Sequence, residues 1–102
     1  MDGGVRVPTV AMWPKQIPAN TEILLPTSQM DLWPTLADIW EYDAPDNVVI
    51  DGKNILPLLK GEDTQPPHQF LFHYCGPAIH AARYTPSDGK HLFQHATLLI
   101  PV

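Results

Sequence analysis

Twelve of the 102 residues are proline. That is about twice the usual share for a globular chain. Each proline fixes φ and removes a backbone donor, so helices here have to be short and strands have to be interrupted or at a sheet edge. The rest of the composition is that of a folding chain: 44% of residues are hydrophobic, with three Trp, three Tyr and three Phe. At this length there is room for one domain at most, with a modest core.

Punctuation by proline and glycine divides the chain into elements. Val5 to Met12 is rich in β-branched residues and reads as a strand entered through Gly3-Gly4, with Pro8 confining it to an edge or bulge. Arg6, between Val5 and Val7, needs a partner if both faces of that strand are covered. A strand with this content so close to residue 1 reads as the interior of something larger. Lys15 to Asn20 is a loop, and Thr21 to Leu25 a short second strand. Ser28 to Tyr42 is the clearest helix. Ser28 with Asp31 makes a loose capping box, and Pro34 is tolerated in the first turn. Met30, Trp33, Ala37 and Trp40 share one face, widened by Leu32, Leu36 and Ile39; Asp31, Thr35, Asp38 and Glu41 make the other face polar. The Trp33/Trp40 stripe is expected in the core, and Asp31 and Asp38 outside it.

Beyond a loop at Asp43 to Asn47 and a short extended piece at Val48 to Ile50, an Asp-Gly turn opens a second short helix over Ile55, Leu58 and Leu59, stopped by Gly61. Gln69 to Cys75 and Ala78 to Tyr84 read as antiparallel strands around Gly76-Pro77. A loop from Thr85 to Lys90 and a last strand within His91 to Ile100 follow. The expected class is α/β, with a small antiparallel sheet at the end of the chain.

Several functions are disfavoured by the residues. Net charge is −5, and the six basic residues are scattered, so no patch exists to neutralise nucleic-acid phosphates. No apolar run is long enough to span a membrane. No signal-peptide pattern is present in the chain as given. His91 and His95 lie four apart, but no cysteine or acid completes a metal-ligand pattern beside them. Ser28 and Ser87 lie in no nucleophile-elbow pattern. His73 and Cys75 share a strand face, which suits a thiolate pair, although a structural role accounts for both. Cys75 is the one cysteine; it is either a reduced buried thiol or half of a disulfide with a partner outside the chain.

The order of the unusual stretches carries more than any one of them. "GGVRVP", "WP", "IPA", "PTSQMDLWPTLADIW", "DGKNILPLLKG", "HQFLFHYC" and "HAARY" together resemble the later part of a sulfatase, over Asp2 to about Tyr84. "FLFHYC" with "HAARY" points to the arylsulfatase and steroid-sulfatase branch. The resemblance implies an alkaline-phosphatase-like α/β fold, with residues 1–61 ending the large domain and 68–102 opening a C-terminal antiparallel subdomain. It implies sulfate ester hydrolysis by the whole enzyme, through a formylglycine and a calcium ion, in the secretory pathway.

None of the catalytic residues carries over. Cys75 is followed by Gly-Pro-Ala-Ile, whereas the modified cysteine sits in C-x-P-x-R. The family's late sulfate-binding lysine precedes the "GGxRVP" stretch. What carries over is structural: Gly3 and Gly4 as the entry to a strand, Arg6 as a buried paired arginine beside the active-site wall, and Cys75 as half of a disulfide. After Lys90 the sequence departs from the family pattern. The chain alone is expected to be inactive; the alternative is a non-catalytic product that binds a full-length sulfatase or another partner.

Overall fold

A computed structural model describes residues 4–87 and the two-residue strand at 95–96. A 3-10 turn, Gln29–Asp31, leads directly into α1, Leu32–Ile39. α2 spans Leu56–Lys60. Then come β1, Phe70–Cys75, β2, Ala78–Tyr84, and β3, His95–Ala96, in one antiparallel sheet of order β1-β2-β3.

Both helices end in the same way, for the same reason. After α1, the Tyr42 N–H donates to the Ala37 carbonyl at 2.9 Å and the Glu41 N–H to the Asp38 carbonyl at 3.1 Å. After α2, the Glu62 N–H donates to Pro57 at 2.9 Å and Gly61 to Leu58 at 3.1 Å. Each pair satisfies carbonyls that the last helical turn leaves without partners, and each requires a left-handed residue. Gly61 takes that conformation at φ 77°, Glu41 at φ 53°.

The hairpin forms where Gly76-Pro77 predicts it. Phe70 pairs with Tyr84 at one end and Cys75 with Ala78 at the other. Gly76, at φ 60°, takes the first turn position with a positive φ at no steric cost. A register shift between His73 and Tyr74 leaves His80 as the extra residue of β2. Of the expected last strand, His95–Ala96 pairs with Arg83 and Ala82 of β2; the remainder lies outside the described residues, as does half of the loop expected over Thr85 to Lys90.

Three expectations are corrected. No strand forms over Val5 to Met12 or over Thr21 to Leu25. Among the described residues these segments have no neighbouring strand to pair with, and Val7, Val10 and Met12 stand exposed. Arg6 lies on the surface of this chain, which does not bear on its expected place in the whole enzyme, and Gly4 lies in an exposed turn with open space around it; Gly3 is outside the described residues. The covered side of helix α1 also differs from the expected one, although Ala37 is buried and Asp38 and Glu41 are exposed as expected. Asp31 and Thr35 are buried, while Met30, Leu32, Trp33, Leu36 and Trp40 are exposed. Apolar periodicity finds an amphipathic helix but not which side is covered. Here hydrogen bonds decide it, by drawing the carboxylate and hydroxyl inward.

Candidate functional site

The polar centre of the molecule is Asp31, with no exposed surface at all. Its position comes from the end of the 3-10 turn, one residue before α1. The Ser28 N–H donates to Asp31 Oδ2 at 2.7 Å, the reciprocal bond of a capping box. The Lys53 N–H donates to Oδ1 at 2.8 Å, and His68 Nε2 lies 2.6 Å from the same oxygen. Three segments, 28, 53 and 68, thus converge on one carboxylate.

Thr35, one turn further along α1, extends the network. Its hydroxyl donates to the Asp31 carbonyl at 2.6 Å and accepts the Ile55 N–H at 3.0 Å. The chain from Lys53 to Ile55 is therefore fastened at both ends to one helical turn. Gly52 makes that approach possible. Its backbone is buried against Met30 and Asp31, and a Cβ there would run into the Met30 carbonyl. The glycine of the Asp-Gly pair is needed for close backbone approach and not for a positive φ. Ile55, Leu56 and Leu58 are buried, with Ala37 of α1, as the core of this unit.

A hydrogen-bonded Asp–His pair invites a catalytic reading. A general base must reach a proton on a substrate. Here Asp31 is wholly buried, His68 is 9% exposed, and the neighbouring hydroxyl of Thr35 is engaged on both sides. The geometry is that of a fully satisfied buried polar network, which specifies a single arrangement of the segments it joins.

Two clefts border this unit and share Trp33 and Ile50 in their walls, with volumes of about 360 and 410 Å³. The first carries Asp38, Glu41 and Asp43 and the second Asp51; neither is lined by a lysine, arginine or histidine. An anionic ester would meet carboxylates there and no cation to hold it. Among the described residues no three His, Cys, Asp or Glu side chains form a group able to hold a metal ion.

The other residues singled out from sequence are dispersed. Cys75 is exposed at the end of β1, at the hairpin turn, and His73 is half-buried on the same strand. His91 lies outside the described residues, which leaves the His91/His95 pair undescribed. Sequence reasoning missed Asp31, Thr35, Gly52 and His68 as a group. The available signal was that "SQMDLWPT", "DGKN" and "PPH" each place a backbone-seeking polar residue or a glycine beside proline-rich or apolar sequence.

No profile of a known protein family matches the chain. Individual proteins do. Human arylsulfatase D is 45% identical over 87 residues, 85% of this chain and 15% of that protein. Arylsulfatase H of Canis lupus familiaris is 46% identical over 87 residues, 85% of the chain and 16% of that protein. Human steryl-sulfatase is 39% identical over 93 residues, 91% of the chain and 16% of that protein. The chain belongs to the sulfatase family. Within it, the similarity is to the arylsulfatase and steroid-sulfatase branch, as the ordered motifs imply. This sulfatase chain spans about one-sixth of the length of the curated relatives it matches. Among its described residues no helix is long and apolar enough to cross a membrane.

Proposed function

We propose that this chain is the late part of a sulfuric ester hydrolase of the arylsulfatase type, and that it does not hydrolyse sulfate esters by itself. The observation that carries the reading is the 45% identity to arylsulfatase D over 85% of the chain, against 15% of that protein. In this reading residues 1–61 end the large α/β domain of an alkaline-phosphatase-like fold, and residues 68–102 begin its C-terminal antiparallel subdomain. The formylglycine and the calcium ion belong to the remainder of the enzyme. Cys75 pairs with a cysteine beyond this chain, and the parent enzyme resides in the secretory pathway. Inactivity of the chain alone is supported by clefts that offer a sulfate group no cation.

A turnover assay with an arylsulfate tests the reading. The purified chain is expected to give no more product than a heat-denatured control, while a full-length relative turns over under the same conditions. Turnover by the chain above that control would sink the proposal. The second reading is a non-catalytic product that binds a full-length sulfatase. The exposed apolar side chains on and beside α1, Met30, Trp33, Leu36 and Trp40, favour it. Co-purification with a tagged full-length enzyme is expected on that reading, and its absence would exclude it.

A further inference from the structure

The Asp31 centre joins two parts of the molecule unequally. Two of its three donors, the N–H groups of Ser28 and Lys53, come from the helical part, residues 28–61. The third, His68, stands just ahead of β1 and belongs to the hairpin. Among the described residues, extended contact between elements occurs within the sheet and between the 3-10 turn and α1; neither the two helices nor a helix and a strand share contact of that extent, so hydrogen bonds to Asp31 and Thr35 are what tie the segments together. The connection between the parts, 62–67, ends in Pro66-Pro67. Two prolines in succession restrict φ at both residues and hold Gln65 away from helical backbone. His68 is therefore carried on a stiff arm whose tip enters a socket that is already lined by donors from elsewhere.

We propose that the Asp31–His68 hydrogen bond is a latch fixing the β-hairpin to the helical unit, with a socket that the helical unit builds without the hairpin. Removing His68 then leaves Asp31 bonded to Ser28 and Lys53, and leaves Thr35 bonded to Ile55. The helical unit keeps its structure, β1 and β2 keep their pairing, and only their mutual placement is released. Removing the Asp31 carboxylate does both kinds of damage. This inference concerns the chain itself and does not rest on the enzymatic reading.

The chain's single cysteine allows a direct test. Nitroxide labels at Cys75 and at an added Asp38→Cys, on the exposed side of α1, report the distance from hairpin to helix. Amide exchange at Lys53 reports the socket. The unmodified background is expected to give one narrow distance and a protected Lys53 amide. His68→Ala is expected to lose the narrow distance and keep Lys53 protected. His68→Gln, which retains an N–H donor, is expected to recover the narrow distance. Asp31→Asn is expected to lose both signals. The proposal is overturned if His68→Ala keeps the narrow distance, if it loses Lys53 protection as well, or if His68→Gln behaves as alanine does.

Discussion

Asp31 shows how far a residue's role can depart from its sequence signature. An acid at the start of a helix is ordinary, since it favours the positive end of the helix dipole. Here three donors and complete burial turn it into the residue that organises the fold. Asp31→Ala leaves those donors without an acceptor, at about 1–3 kcal/mol for each that stays buried. The expected outcome is loss of a cooperative urea transition; a midpoint within experimental error of the parent would contradict the network. Gly52→Ala tests the close approach separately. The added methyl meets the Met30 backbone and not a movable side-chain end, so something rigid must shift. A loss of about 1–3 kcal/mol is expected from such overpacking, read from the urea midpoint. The capping box was legible in Ser28 and Asp31. The rest of the site was not, because Lys53 and Ile55 contribute backbone N–H groups that any residue but proline supplies, and His68 lies 37 residues from its partner.

At the scale of elements, local punctuation was the most readable information. Gly61 stops α2, and Gly76-Pro77 turns β1 into β2, as the sequence predicts. These features depend on a residue's own φ and need no distant partner. The strand over Val5 to Met12 is the opposite case, because a strand exists only beside another, and β propensity reflects packing on a sheet more than a backbone preference. The direction of α1 failed for a related reason: its exposed apolar side has no cover among the described residues. The two helix ends give a matched experiment. The same pair of closing hydrogen bonds is completed by Gly61 at one end and Glu41 at the other, both left-handed. A side chain in that conformation costs roughly 1–2 kcal/mol, part of which glycine returns through its greater freedom when unfolded. Glu41→Gly should therefore raise stability by about 0.5–1 kcal/mol, whereas Gly61→Glu should lower it by about 1 kcal/mol or more. Urea midpoints moving in the same direction for both would break the equivalence of the two ends.

For the whole molecule, surface area is the decisive quantity. The accessible surface is 8351 Å² for 11.4 kDa. A compact monomer of that mass exposes about 5,800 Å², and its unfolded chain about 16,500 Å². The radius of gyration, 15.3 Å, agrees with this, since a compact chain of this length has about 13 Å. The molecule thus hides about three-quarters of the area that a compact domain of equal length hides. Its buried hydrophobic residues, among those described, are Ala37, Ile55, Leu56 and Leu58, all around the helical unit. The sheet presents Phe70, Phe72 and Tyr84 to the outside, with Phe70 and Tyr84 rings 4.9 Å apart. Denaturant sensitivity scales with the surface exposed on unfolding, so the slope of stability against urea should be about three-quarters of that of a compact domain this long. Adding a cover for the apolar faces should restore the missing part of the slope. A full-length sulfatase from which this segment is deleted provides such a cover, if the segment belongs where its similarity to arylsulfatase D suggests. Mixing the two should steepen the transition of this chain and protect its exposed apolar face from a hydrophobic dye. A compact-domain slope for the chain alone would show that these faces are already covered in solution. An unchanged slope and unchanged dye binding in the mixture would show that the deleted enzyme does not cover them.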